Sequence, residues 1–246
     1  MFEPTIPFGE PELIRVSAFQ RYLDDLAGCG STMPPRPSML SSSLLADLRH
    51  LNQGGYKTEV LEVLAACVRH AQDALIHLQI GDKVLPLTIF VHERLAHCPM
   101  ELDAFLALPL EELGVLHVEP AMLRPLGDRE VALVADPAHY HALGPLTWEL
   151  ALRLRDELLP EIAGPAAYRV TPGLDLHGLT VSEEQEVAIE RLRLRTTSLR
   201  YIVKWPGLTR ETAVRLLNAL YLQAGLMVSR SHPDAVAETW LGALSR

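Results

Sequence analysis

The sequence predicts an α+β fold: a small, mainly antiparallel sheet domain with helices, followed by a helical C-terminal domain of winged-helix type. Three observations predict it. The hydrophobic period changes from helical to alternating near Ile76, and back to helical after Pro145. The turns between the alternating runs are short and glycine-bearing, which joins neighbouring strands antiparallel rather than through crossovers. The C-terminal third reads helix, Pro-Gly turn, capped helix, glycine, strand, the order of a winged helix-turn-helix.

Each element has its own signal. Residues 1–15 are Pro-rich and weakly patterned. Val16, Phe19, Leu23 and Leu26 recur at helical spacing until Gly28 and Gly30. Ser31 to Ser43 reads as a loop, and a short helix follows around Leu44 to Leu51, stopped by Gly54 and Gly55. Thr58 is a candidate N-cap for a helix whose apolar face is Val60, Leu61, Leu64, Cys67, Val68 and Ala71. Ile76, Leu78 and Ile80 then alternate with His77 and Gln79, turn at Gly81-Asp82, and resume with Leu85, Leu87 and Ile89. That pattern is a β-hairpin. Pro86 cannot donate to a ladder, so its place is an edge or a bulge.

A strand over Arg94 to Cys98, a helix over Glu101 to Leu106 and a strand through Val115 and Val118 come next. A second turn at Gly127-Asp128 leads into Val131 to Ala135. Leu146, Leu150, Leu154 and Leu158 line one helix up to Pro160, and Gly164 to Gly178 is the expected domain boundary. Ser182 and Gln185 form a capping box opening a helix to about Leu194. A helix from Ser198 to Trp205, a third capped by Thr209 and ended at Gly225, a strand at Leu226 to Val228 and a helix over Asp234 to Leu244 complete the chain. The organisation is therefore 1–56 as helical arm and linker, 57–165 as sheet domain and 166–246 as winged-helix-like domain.

Composition narrows the class. The 246 residues are 48% hydrophobic and 22% charged, which is globular and enough for a sizeable core. No run approaches the length of a transmembrane helix, and the start lacks the basic-then-apolar order of a secretory signal. Cys29, Cys67 and Cys98 are odd in number and widely spaced, which argues for a reducing compartment. The expected location is cytoplasmic.

Charge is distributed unevenly. The net charge is −9, yet residues 191–230 hold eight bases and a single acid, Glu211. The bases are Arg191, Arg193, Arg195, Arg200, Lys204, Arg210, Arg215 and Arg230. The segment is either a phosphate-contacting face or a surface docked on an acidic one. In the third C-terminal helix Glu211, Arg215 and Asn218 share one face, so a narrow polar stripe is expected toward solvent. In a DNA-reading version Arg215 and Asn218 would meet base edges, and Arg200, Lys204 and Arg210 would meet phosphates. The candidate nucleic-acid or acidic-partner contacts are thus Arg191, Arg193, Arg195, Arg200, Lys204, Arg210, Arg215 and Asn218.

The stretch Ala74 to Glu119 resembles the small β-rich domain of PatA-like bacterial signalling proteins. That family has a strand pair, an F-x-x-G-x-L-x-x-A segment, a helix and a further strand. Here the matching residues are Ala74 to Leu78, Phe90 to Cys98 and Leu113 to Val118, with Glu93 in place of the glycine and Cys98 in place of the alanine. Glycine is the residue that tolerates a positive φ in such a turn. Thr197 to Val228 is similar to the helical segment that often follows in that family. The resemblance implies a bacterial signalling or scaffolding protein and carries over no active-site residue.

Catalytic patterns are weak. His92 and His97 are five residues apart, off one helical face and on opposite faces of a strand, so they do not make a zinc-protease pair. Asp136, His139 and His141 in one loop, with Asp175 and His177 in another, would make a carboxylate–imidazole site only if the loops converge. Gly28 to Met33 lacks the third glycine and preceding strand of a dinucleotide fingerprint, and neither a Walker A sequence nor a G-x-S-x-G elbow occurs. Trp148, Trp205 and Trp240 read as core residues and Cys67 as a core thiol. The leading expectation is a non-enzymatic regulatory or adaptor protein that binds other proteins, itself included as a homodimer, without cofactor or metal. A DNA-binding transcription regulator and a metal-dependent enzyme are the alternatives.

Overall fold

A computed structural model describes residues 13–28, 40–53 and 59–235. The expectations for residues 1–12, the Cys29–Met33 loop, the Gly54-Gly55 stop, Thr58 and the helix beyond Ala235, with Trp240, lie outside them.

Among the described residues, two antiparallel sheets and eight α-helices make an α+β protein, as the change of period predicts. A two-residue strand β1 (Ile14–Arg15) leads into α1 (Val16–Gly28); α2 (Ser42–Gln53) and α3 (Val60–Arg69) follow. Glu59 is the N-cap of α3 and its side chain makes no capping bond. The hairpin is β2 (Ala74–Ile80) and β3 (Lys83–Phe90), with Gly81 at φ +57° in the turn. β4 (Leu95–His97), α4 (Leu102–Leu106), β5 (Gly114–Pro120), β6 (Tyr140–Ala142) and α5 (Leu143–Leu154) complete the first unit. The sheet order is β5-β2-β3-β4-β6, and β1 joins the other end of β3.

Pro86 shows how register accommodates a residue without an N–H. β1 pairs β3 only as far as Val84, and β4 pairs it only from Thr88. Residues 85–87 have β2 alone beside them, so the strand is central overall and an edge at the proline.

One face of this sheet carries Ala74, Ile76, Leu78, Leu85, Leu87 and Ile89 into a continuous core that extends from Leu40 to Leu222. α3 lies in that core with nearly every residue from Val60 to Cys67 buried, and Cys67 is a core thiol whose burial pushes its pKa up to about 12. Trp148 of α5 is fully buried, and its indole N–H donates to the Thr180 carbonyl at 2.9 Å. On the opposite sheet face Phe19 of α1 lies 4.5 Å from the His77 ring.

The second unit is β7 (Ala167–Val170), α6 (Glu183–Leu194), β8 (Thr197–Ser198), α7 (Leu199–Ile202), α8 (Arg210–Leu222) and β9 (Leu226–Ser229), with sheet order β8-β7-β9. The Ser182–Gln185 capping box is present, and Thr209 caps α8 with Thr212 as its reciprocal partner. α8 packs along α5, so the core runs straight across the boundary expected near residue 165.

Several local expectations need correction. β7 lies inside the stretch expected to be a domain boundary, and β6 falls where no strand is expected. After the Gly127-Asp128 turn, Val131–Leu133 forms an exposed 3-10 turn. α5 ends at Leu154, short of Leu158, since residues 155–159 turn away to meet α8. The expected helix from Ser198 to Trp205 is one turn, because Thr197 and Ser198 pair with β7. The left-handed residue of the β3–β4 turn is Arg94, at φ +55°, not Glu93. Similarly, α8 closes with Ala224 at φ +53°, while Gly225 matters for space: a Cβ there would meet Leu174 Cδ1 at 2.5 Å.

Candidate functional site

Seven of the eight predicted contact residues fall into two groups, and the eighth, Arg210, lies exposed in the first turn of α8. The first is held by partners within the chain. Asn218 is fully buried, not part of a solvent stripe. Its carbonyl oxygen accepts the Leu159 N–H at 2.9 Å, and its amide donates to the Glu157 carbonyl at 2.9 Å. It therefore anchors the chain leaving α5 and cannot reach a base edge. Arg215 pairs with Asp156 (2.6 Å) and Glu211 (2.9 Å), which occupies its guanidinium with the chain's own carboxylates. Arg193 donates to the Leu174 carbonyl at 3.2 Å and lies 3.4 Å from Glu190. Arg230, a base of the same segment outside that set, donates to the carbonyls of Glu161, Ala163 and Pro165.

The physical reason is the position of α8. It has α5, α3 and the 156–159 segment around it, so Ala213, Val214 and every residue from Leu216 to Leu220 are buried. Only its first turn, with Arg210, Glu211 and Thr212, is open. A helix buried on this many sides has no face for the major groove.

The second group faces outward. The Arg191 guanidinium lies over the Trp205 ring, 5.5 Å from its centroid, and Lys204 Nζ lies 5.4 Å from the Tyr201 centroid. Arg195 and Arg200 are exposed. Arg191, Leu194, Arg195 and Trp205 line a shallow recess of about 270 Å³. Leu194 is 80% exposed and Val187, two turns earlier on the same face of α6, is 49% exposed. Trp205 is thus half-buried under a cation, unlike Trp148. Large apolar side chains left in water beside cations and aromatic rings are the composition of a contact surface.

Sequence reasoning found the bases of this surface and missed Val187, Leu194 and Tyr201. The signal was present: Ala188, Ile189 and Leu192 give α6 an inward face, and Val187 and Leu194 fall opposite it.

The loop residues do not assemble. Asp136 accepts the Ala138 N–H at 3.0 Å and Asp175 the His177 N–H at 2.9 Å, so each aspartate closes its own turn. His141 Nε2 is 3.1 Å from the Met100 carbonyl oxygen. His97 is buried in β4, while His92 is exposed in the preceding turn. Among the described residues, no group of three or more His, Cys, Asp or Glu is placed to share a metal ion. A cleft of about 440 Å³ at the strand ends is lined by His70, Asp73, His92 and Arg124 among others. The Asp73 carboxylate there accepts the Val91 N–H at 2.8 Å, and burial holds its pKa above the usual value. Among the described residues, no helix is long and apolar enough to cross a membrane.

No protein-family model, no characterised protein and no solved structure matches this chain.

Proposed function

We propose that this chain is a non-enzymatic cytoplasmic regulatory or adaptor protein that acts by binding other proteins. The docking surface is the outer face of α6 together with the α7–α8 turn. One observation carries the reading. Of the residues that would read DNA, Asn218 is buried and Arg215 is paired with the chain's own Asp156 and Glu211, while Leu194, Val187, Tyr201 and Trp205 accompany the bases that remain outside. Apolar and aromatic side chains among cations suit a protein surface with acidic and apolar groups. The resemblance to PatA-like signalling proteins points the same way.

In this reading the second unit is a winged-helix variant used for docking. Helices α6, α7 and α8 follow the winged-helix order, but β7, the strand between β8 and β9, comes before the first helix. A fold of this type does not by itself bind DNA.

The test is fluorescence anisotropy of a labelled random duplex at about 50 and about 200 mM salt, a range across which phosphate-bound proteins lose several decades of affinity. The control carries Arg195→Glu, Arg200→Glu and Lys204→Glu, all exposed positions. The expected result is no salt-sensitive binding by either protein. Tight binding at low salt, lost in the control, would overturn the reading in favour of a DNA-binding regulator.

A further inference from the structure

We infer that the outer face of α6 docks on the same face of a second copy of this chain, with the two helices antiparallel. The inference rests on the protein-docking reading above and names its partner.

The charges of α6 are ordered along its length. Its glutamates, Glu183, Glu184, Glu186 and Glu190, all precede its arginines, Arg191 and Arg193, and Arg195 follows as the C-cap. This order suits the helix dipole, but the dipole asks nothing of the apolar residues. Val187 and Leu194 are seven residues apart, hence roughly 20° apart about the axis and about 10 Å apart along it. Both point away from the buried Ala188, Ile189 and Leu192. The face is therefore an apolar pair with an acidic end and a basic end.

Such a face complements itself in one direction. With a two-fold axis between Val187 and Leu194, each Val187 lies on the partner's Leu194, and each acidic end lies over a basic end. Parallel docking opposes like charges at both ends. The helix and its C-cap carry four glutamates against three arginines, of which Arg191 and Arg195 lie on the open side and Arg193 is held by the Leu174 carbonyl, so two copies meet here with less repulsion than elsewhere on a chain of charge −9. One helix pair with its flanking Trp205 recess buries less than the roughly 800 Å² per partner of a standard interface, so the dimer is weak and concentration-dependent.

Two measurements on the full chain test this. In sedimentation velocity across about 1 to 200 µM, which brackets micromolar association, the average mass of the wild type rises with concentration. Leu194→Glu stays monomeric, with an unchanged urea midpoint because the position is exposed. Orientation is read by disulfide formation in a Cys29→Ser background, where the remaining Cys67 and Cys98 are buried. Chains with Val187→Cys and chains with Leu194→Cys cross-link faster when mixed than either does alone, since a disulfide needs Cα atoms within about 7 Å. A wild type that stays monomeric, a Leu194→Glu chain that dimerises as well, or self-linking as fast as mixed linking would each overturn the inference. A monomeric wild type leaves the wider reading standing on its own DNA test.

Discussion

Helices α6 and α8 are near neighbours in the chain, each opened by a capping box, and each reverses the usual rule for its side chains. α8 buries an asparagine completely, whereas α6 leaves a leucine 80% exposed. The difference lies in what surrounds them. α8 is enclosed by α3, α5 and the 156–159 segment, so Asn218 finds its partners inside and Arg215 finds Asp156 at the rim. α6 packs with one face and keeps the other open. Periodicity locates a polar stripe, but neighbouring elements decide whether that stripe meets water or backbone.

The sharpest way to break the comparison is to remove the buried amide. Asn218→Leu leaves the Leu159 N–H and the Glu157 C=O without their partner, and is expected to destabilise the protein by about 3 kcal/mol in urea unfolding. A loss below about 0.5 kcal/mol, the scale of an ordinary surface change, would mean that α8 is not enclosed. Gly225→Ala tests the closure of the same helix. The added Cβ crowds Leu174, at a cost of about 1.5 kcal/mol. Ala224→Gly relieves the left-handed position beside it and stabilises by about 0.5 to 1 kcal/mol. The two substitutions thus have opposite signs at adjacent residues.

Acidification sharpens the contrast by stressing the sheet and sparing α6. Burial holds the His97 pKa below 6.5, and His139 and His141 add to the effect. Burial does the same for His117, with Glu119 opposing and His77 reinforcing it. The unfolded chain therefore takes up protons first as pH falls past 6.5. Stability from these groups is full above that pH and declines below it until the folded imidazoles titrate. Replacing both with glutamine should flatten the unfolding midpoint between about pH 7.5 and 5.5. A decline that persists unchanged would assign it to other groups. The smallest effect belongs to Arg215→Met, whose partners Asp156 and Glu211 are largely exposed, at about 0.5 kcal/mol.

Most of the architecture was legible because local chemistry marked it. The alternation around Gly81-Asp82, the Ser182 and Thr209 caps and the leucine spacing of α5 each lie within a few residues. β6 and β7 were not legible, since strands of three and four residues are formed by their neighbours rather than by a pattern of their own. The candidate site was half legible. Its bases stood out against an acidic chain, but Asn218 was expected outside because nothing in α8 reveals the segment that it anchors. Leu194 was not singled out, because leucine usually lies inside.

The account stands most directly on which helix responds to a partner. Methyl spectra of the full chain, with valine and leucine methyls labelled, recorded through a dilution series and then with a DNA duplex, read both helices at once. The account predicts that Val187 and Leu194 shift on dilution, and that Leu216, Leu217 and Leu220 stay still throughout. Methyls of α8 that move when duplex is added, with Leu194 unmoved at every concentration, would contradict it.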